Sequence, residues 1–354
     1  MSVTVKDVAR MAGVSTATVS RVINDDPRIS RETSEKVKKC ISDLDYRVNN
    51  IARSLKTSRT YTIGFIAPEI TNDFFMSIAK GVEDESRKYG YSIIVCNSNE
   101  SIKEEEDRIR LLSEKCVDGI IIIPASDEGK HFNHLKELNM PVVLVDRLVN
   151  NFESDAVLVD NINGTYSAIE YLINMGHGRI GFISGDLKLT SAMERYQGYK
   201  RALSDYCIPY DEKIVKFGDF HIRGGYDMMK KLCEADNPPS AVFISNYFMH
   251  VGATKYLMEE DINKGKRSSG QNNKNIIIAS FDDMELSTLL GFCKLRVAQP
   301  MMEIGSKAAQ LLLGRINNDF ERINNDNDAA AGDSQNNRVI RLKTRLVVNQ
   351  QIIS

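Results

Sequence analysis

No apolar run in this 354-residue chain approaches the roughly 18 residues that a membrane-spanning helix needs. The opening residues, MSVTVKDVARMAGV, carry charges where a secretory leader requires an apolar stretch, so the expected location is the cytoplasm. Cysteine is scarce. The six present (Cys40, Cys96, Cys116, Cys207, Cys233 and Cys293) form no Cys-x-x-Cys pair, and in a reducing compartment they read as buried apolar residues. The five histidines (His131, His134, His177, His221 and His250) make no His-Glu-x-x-His motif and no Cys/His cluster, which argues against a metal site. There is no P-loop and no G-x-S-x-G elbow, and the Ser, His and Asp residues have no spacing that ties them together. Neither an enzyme nor a cofactor is expected. One glycine pattern, Gly176-His177-Gly178-Arg179-Ile180-Gly181, matches the dinucleotide fingerprint G-x-G-x-x-G. A true fingerprint follows a strand and opens a helix, whereas this one follows a helical stretch and opens a strand.

Overall charge is also nearly absent: the net is −2, which on its face argues against a polyanion partner. The sum hides an asymmetry. Residues 1–60 hold 12 Lys and Arg against 7 Asp and Glu, a net of +5, and the rest of the chain carries −7. A basic segment on an acidic body points toward nucleic acid.

The chain reads in three regimes. Residues 1–47 suggest short helices. Residues 48–60, VNNIARSLKTSRT, are polar, basic and free of proline. From Tyr61 a unit of apolar strand, turn and helix repeats, with strands expected near 62–67, 92–97, 119–124, 142–146, 156–160, 180–184, 214–217, 241–245, 276–281 and 295–299. Several are unbroken Val/Ile runs, as strands covered on both faces require. Such alternation predicts parallel α/β sheets, and ten strands over about 290 residues predict two lobes rather than one sheet. Two polar stretches, 263–275 and 317–337, read as surface loop insertions.

Val5, Val8, Ala9 and Ala12 fall at i, i+3, i+4, i+7 and give one apolar helix face. Thr4 stands at the N-cap, and Gly13 suits the positive-φ turn that stops the helix. Ser15 can cap a second helix whose inward face is Val19 and Val22. This spacing fits a helix-turn-helix, whose second helix enters the major groove; it also fits an amphipathic hairpin in another small domain. The outward face, Thr16, Ala17, Ser20 and Arg21, suits base reading. Arg21 offers a fork for guanine O6 and N7, Thr16 and Ala17 offer methyl groups to thymine, and Ser20 serves base or phosphate. A third helix over 31–44 follows, capped by Ser30. Arg28, Arg31, Lys36, Lys38, Lys39 and Arg47 supply a basic surface for phosphate contacts.

The stretch TVKDVARMAGVSTATVSRVIN resembles the opening of the LacI/GalR family of bacterial transcription regulators, and YRVNNIARSLKTSRTYTIGFI resembles that family's hinge. The resemblance implies a homodimer on double-stranded operator DNA, with Thr4, Ser15, Thr16, Ala17, Thr18, Ser20, Arg21, Asn24, Tyr46, Asn50, Ala52 and Leu55 as DNA-contacting positions. It also implies a hinge helix at about 50–55 that forms on DNA, with Leu55 as the wedge that enters the minor groove. Six residues are too few for a stable isolated helix, which agrees with folding on DNA. The family usually has proline where this chain has Val48.

Family-like segments continue through the body: PEITNDFF, PVVLVDR, VDNINGTYSAIEYLINMGHGRIGFISGD, ERYQGYKRAL, SFDDMELS and RVAQPMMEIGSKAAQLLLGRI. They imply an α/β body of two periplasmic-binding-protein-like lobes with an effector cleft between them. The expected division is a headpiece at 1–47, a hinge at 48–60, a first lobe of 61–160 plus about 293–322, and a second of 161–292 plus about 323–354. Crossings are expected near 159–163, near 292–298 and after the 317–337 insertion. Strand ends independently suggest Asp146, Asp160, Asn246 and Asp282 as cleft residues, with Arg195 placed before a helix and Phe74 and Phe220 in loops. Carboxylates, an amide and a guanidinium suit sugar hydroxyls, and aromatic faces suit a ring. By family position Phe74, Asp146, Arg195, Phe220, Asn246 and Asp282 match effector contacts. Asp160 reads as structural and Phe75 as core-facing. Where the family often has Asn-Asp, this chain has Asn246-Tyr247, which leaves open a modified, acidic or aromatic effector.

Three classes compete: an effector-responsive DNA-binding repressor, a solute-binding protein and a cytosolic α/β enzyme. Within the first, a sugar or sugar derivative competes with a nucleobase or sugar-acid corepressor. A solute-binding protein needs a leader where this chain has a helix-turn-helix pattern.

Overall fold

A computed structural model describes residues 3–23, 26–46, 59–263, 276–284, 293–325 and 337–348, and says nothing of the side chains at 263 and 318–325. Two compact units divide at Thr60.

The first unit holds three helices: α1 (Val5–Ala12), α2 (Thr16–Ile23) and α3 (Arg31–Asp43). Thr4 and Asp7 cap α1 reciprocally, the Thr4 amide and hydroxyl both donating to Asp7 Oδ2 at 3.0 and 2.6 Å. Gly13 ends α1 at φ 64°, the left-handed turn that a residue without Cβ adopts freely. Ser15 Oγ then accepts the Thr18 amide at 3.1 Å and starts α2. Val8, Ala9, Ala12, Val19, Val22, Val37 and Cys40 form one small core across the three helices. The periodic positions read from sequence therefore do close a hydrophobic core.

The second unit contains two six-stranded sheets with the same winding. In the first, strands β1 (Thr62–Ala67), β2 (Ser92–Asn97), β3 (Gly119–Ile122), β4 (Val142–Val145), β5 (Asp155–Val159) and β11 (Val339–Leu342) lie in the order β11-β5-β4-β3-β1-β2, all parallel. The second contains β6 (Ile180–Ser184), β7 (Val215–Phe217), β8 (Ala241–Ile244), β9 (Ile277–Phe281), β10 (Cys293–Ala298) and β12 (Arg345–Val348) in the order β12-β10-β9-β8-β6-β7. Only β12 is antiparallel. Helices α4 (Asp73–Arg87) and α5 (Ile102–Glu114), with the five-residue α6 (Asn133–Glu137), accompany the first sheet; α7 (Asn161–Asn174), α8 (Thr190–Asp205), α9 (Ile222–Cys233) and α10 (Tyr247–Asn263) accompany the second. Helix α11 (Met301–Asn325) returns to the first sheet, and its buried residues Ile304, Ala308 and Leu312 join the core of α4 and β1. Each sheet has a hydrophobic core on both faces, as the Val/Ile runs require.

Four sequence expectations change. Cys293–Ala298 pairs with β9 in the second sheet, so the crossing to the first lobe follows it, at 299–300. The last segment divides between lobes, with β11 beside β5 and β12 beside β10. Both strands escaped notice because they are short and half exposed, without the apolar run that marked the others. The stretch expected as loop from 317 is helical to Asn325, since Asn and Asp are poor but tolerated helix residues once packing has set the helix. Arg195 lies within α8, whose polar start Thr190-Ser191 hid its first turn. The Gly176–Gly181 pattern does terminate a helix, at Gly176 with φ 91°, and leads into β6.

Helices α4 and α11 cross on glycine. A Cβ at Gly81 would stand 2.3 Å from the Met302 carbonyl oxygen, and one at Gly305 would stand 2.1 Å from that of Ile78. Gly314, on the same α11, has nothing within 4 Å. Gly81→Ala and Gly305→Ala should each destabilise the chain by roughly 1–3 kcal/mol, because overlap with backbone outweighs the gain in helix propensity. Gly314→Ala should be neutral or stabilising by about 0.5 kcal/mol. Urea unfolding followed by circular dichroism separates the two cases.

Candidate functional site: a recognition helix and an interlobe cleft

In the helical unit, Thr16, Ala17 and Arg21 are exposed on α2 and Ser20 is half exposed, while Val19 and Val22 are buried. The four outward residues therefore share one face. The Arg21 guanidinium makes no hydrogen bond among the described residues. Other candidates have local tasks. Thr4 and Ser15 cap helices, Thr18 hydrogen-bonds Ser15 through its hydroxyl at 2.9 Å, and Tyr46 packs on the small core. Among the basic residues, Arg28 pairs with Asp26 at 2.6 Å and Arg31 with Glu35 at 2.9 Å, both arginines being exposed. Asn24, Asn50, Ala52 and Leu55, with the hinge helix, lie outside the described residues.

In the α/β unit, all six proposed effector residues line one cleft: Phe74, Asp146, Arg195, Phe220, Asn246 and Asp282. They converge because the carboxyl ends of both parallel sheets face it, the place where open α/β sheets hold ligands. Phe74 follows β1, Asp146 follows β4, Phe220 follows β7, Asn246 follows β8 and Asp282 follows β9; Arg195 comes from α8, after β6. About 490 Å³ of space lies within this cleft, counting its open mouth.

Four lining residues hold left-handed backbone without being glycine: Glu100 at φ 53°, Asp146 at 65°, Phe220 at 64° and Asp282 at 74°. Such a conformation costs on the order of 1–3 kcal/mol and persists where surrounding contacts over-determine it. For Phe220 the cause is visible. Its carbonyl accepts Asn246 Nδ2 at 2.9 Å, and its ring lies so close over Gly185 that a Cβ there would stand 2.1 Å from a ring carbon.

The charges are buried and paired. Asp146 reaches across the cleft to α8: its Oδ1 is 3.9 Å from Arg195 Nη2, and its Oδ2 accepts the Ser191 hydroxyl at 3.4 Å. Arg195 donates to Asn161 Oδ1 at 2.8 Å and to the Ser245 carbonyl at 2.6 Å, and its guanidinium stacks 3.8 Å above the Phe281 ring. Burial pushes the Arg195 pKa down, against the opposing pull of Asp146 and Asp282. Asp282 spends both oxygens on protein: Oδ2 accepts the Tyr247 amide at 3.1 Å and Oδ1 accepts Gln299 Nε2 at 2.6 Å. Burial nevertheless raises its carboxyl above the usual range. Asn246 is equally occupied, its Oδ1 capping α10 at the Met249 amide, 3.1 Å away. Asp160 caps α7 at the Asn163 amide, 3.1 Å away, the structural role expected of it.

Sequence reasoning missed Arg147, Glu100 and Gln299. Arg147 grips Glu100 with both terminal nitrogens, at 2.8 and 3.1 Å, and donates to the Pro124 carbonyl at 2.9 Å. Burial alone would lower the Arg147 pKa, but the charge and hydrogen bonds of Glu100, with the charges of Asp146 and Glu105, together outweigh it and raise it. A strand-final Asp-Arg pair, as in VVLVDR, was the available signal. Phe75 joins the core and also lines the cleft, while Tyr247 is buried and is not a lining residue. Among the described residues no cluster of His, Cys, Asp or Glu is arranged for a metal ion, and no helix is long and apolar enough to cross a membrane.

Comparison with known proteins adds sequence relatives. Residues 4–49 match the family model described as bacterial regulatory proteins, lacI family. Residues 60–331 match the one described as periplasmic binding proteins and sugar binding domain of LacI family. Catabolite control protein A of Priestia megaterium is 35% identical over 319 residues, covering 90% of this chain and 93% of that protein. The HTH-type transcriptional repressor PurR of Vibrio atlanticus (strain LGP32) is 36% identical over 315 residues, covering 88% and 92%. A solved structure of a transcriptional regulator CelR–cellobiose complex superposes with a TM-score of 0.69 at 28% identity, covering 98% of both chains. These relatives are regulators rather than enzymes.

Beneath the cleft, His250 on α10 is fully buried, and neither ring nitrogen has a hydrogen-bond partner among the described residues. Burial, aided by Arg296, pushes its pKa from 6.5 down to about 4. The unfolded chain then binds a proton that the folded one refuses, so stability is full above pH 6.5 and falls as pH drops from 6.5 toward 4. The loss through this one group is on the order of 3 kcal/mol. Unfolding free energies measured at pH 7 and pH 5 should differ less in His250→Leu than in the parent chain.

Proposed function

Because the chain belongs to the LacI family of bacterial regulatory proteins, we propose that it is a cytoplasmic, sequence-specific DNA-binding repressor. A small molecule in the interlobe cleft controls its affinity for the operator. The observation that carries the effector half of this reading is the convergence of six residues from six separate segments on one cleft. The outward face of α2 supports the DNA half. Arg21 reads base edges, Ser20 serves base or phosphate, the methyls of Thr16 and Ala17 pack on thymine, and Leu55 is the minor-groove wedge of the hinge.

The operative unit is a homodimer over a pseudo-palindromic operator. Two basic segments then bring about +10 to the DNA, so affinity falls steeply with salt. The ligand is a sugar or sugar derivative. It acts by population shift: it prefers one arrangement of the lobes, and that arrangement changes the spacing of the two hinges. Moving a 1:99 balance to 99:1 requires about 5.5 kcal/mol of differential affinity.

Two substitutions test the halves separately. Arg21→Ala should relax base preference at one operator position at a cost of about 1–3 kcal/mol, read by binding to a randomised operator pool. Uniform weakening across all sequences would assign Arg21 to phosphate instead. Asp146→Asn should leave operator affinity within about threefold and abolish its response to ligand, read by fluorescence anisotropy. A retained ligand response, or loss of operator binding, would contradict the assignment of Asp146.

A further inference from the structure

We propose that Glu194 and Arg341 are positioning residues of the cleft: their ion pair straps the second lobe to the first, on the other side of β5 from Asp146, and sets which arrangement of the lobes the unliganded chain favours. This rests on the effector reading above and names the device that tunes it.

The first lobe holds α8 at two places. Beyond β4, the Leu148 amide donates to Thr190 Oγ1 at 3.2 Å, Asp146 Oδ2 accepts the Ser191 hydroxyl at 3.4 Å, and Asp146 Oδ1 stands 3.9 Å from Arg195 Nη2. From β11, Arg341 Nη2 donates to Glu194 Oε1 at 2.8 Å, while its Nη1 lies 3.5 Å from the Val159 carbonyl at the end of β5. Thr190, Ser191, Glu194 and Arg195 fall at i, i+1, i+4 and i+5, two adjacent rows on one side of α8. The sheet order places β5 between β4 and β11, so the two anchors spring from strands about 10 Å apart. Between them β5 runs directly into the crossing at 160–161 that starts α7.

That crossing acts as a pivot. A tilt of the second lobe about it tightens one anchor while it opens the other. The anchors are unequal. The Asp146 contacts are long, and its Oδ1 has no hydrogen bond. The strap is short and charge-assisted. The Glu194 side chain is 11% exposed, that of Arg341 44%. Opening the strap leaves a largely buried carboxylate without its cation, which costs more than parting a surface pair. The strap therefore holds the lobes where the Asp146 anchor is slack.

It also reaches the cleft from behind. Glu194 Oε2 accepts Asn161 Nδ2 at 3.0 Å, and Asn161 Oδ1 accepts Arg195 Nε at 2.8 Å. Glu194 thus fixes the amide that orients the Arg195 guanidinium. Neither Glu194 nor Arg341 lines the cleft, so both act on a ligand only through other groups.

Two native thiols read the lobes directly. Cys116, in the turn before β3, and Cys207, in the turn after α8, are exposed and stand in different lobes, while Cys40, Cys96 and Cys293 are buried. Spin labels on Cys116 and Cys207 of the full chain, in a Cys233→Ser background and diluted into unlabelled chain, give the interlobe distance distribution by double electron–electron resonance. Arg341→Met should shift the ratio of lobe populations by about tenfold, seen as a moved or divided distribution. Glu194→Gln should move it the same way, and the two together should do less than their sum. Arg341→Lys, which keeps the charge, should stay near the parent. Thr190→Val removes the Leu148 bond on the other side of the pivot and should move the distribution in the opposite direction. An unchanged distribution in Arg341→Met and Glu194→Gln overturns the proposal. So does an Arg341→Lys chain as displaced as Arg341→Met, or a Thr190→Val displacement in the same direction. Affinity for DNA that the parent chain selects from a randomised pool is measured on the same variants. It should follow the lobe ratio; a moved distribution with unchanged DNA affinity supports the strap and contradicts the regulatory reading, so either can fail alone.

Discussion

Four charged side chains at the carboxyl ends of two parallel sheets, Asp146, Arg147, Arg195 and Asp282, must exist almost without water. An ionised group in such a place is tolerable only when paired and hydrogen-bonded. Much of the local architecture follows from this need. Glu100 is recruited for Arg147, Asn161 for Arg195, and Gln299 together with the Tyr247 amide for Asp282. Left-handed backbone at Asp146, Phe220 and Asp282 is the conformational cost of aiming these residues at one point. Asp146 alone keeps an oxygen without a hydrogen bond, and it alone joins the first sheet to Arg195 and Ser191 beyond the cleft.

The same network runs into the segments that join the lobes. Asn161, at the crossing after β5, holds Arg195 and also donates to Glu194 at 3.0 Å, and Glu194 pairs with Arg341 of β11 at 2.8 Å. The Leu148 amide donates to Thr190 Oγ1 at 3.2 Å, another bond from the first lobe to α8. A ligand that replaces the contact between Asp146 and Arg195 therefore touches groups whose other bonds fix the crossings. This gives the proposed population shift a physical route: binding energy in the cleft is spent on the relative placement of two rigid sheets.

The headpiece was legible in the sequence because its signals are local. Capping residues, a glycine stop and a 3.6-residue period all act within about eight residues, and each appears where expected. The sheets were legible as unbroken Val/Ile runs, and several cleft-lining residues as the polar positions that follow them. Legibility ended where the cause was distant. Strands β11 and β12 carry little apolar signal and exist because β5 and β10 offer them open edges. Arg195 was assigned to the cleft correctly but to the wrong kind of segment, since α8 begins with polar residues. Arg147 and Gln299 were missed because their partners, Glu100 and Asp282, are 47 and 17 residues away. The local tasks of Asn246 and Asp282, both spent on the start of α10, show a turn role and a cleft position in the same residue.

The central claim is that the cleft and the operator surface are energetically coupled, and coupling between two binding sites is reciprocal. The most direct measurement is calorimetric titration of the cleft ligand into the full chain, free and saturated with operator DNA. If the cleft controls operator affinity, the operator must change the ligand's dissociation constant by the same factor by which the ligand changes the operator's. A ligand affinity indifferent to operator, with the ligand still bound in the cleft, would contradict the account.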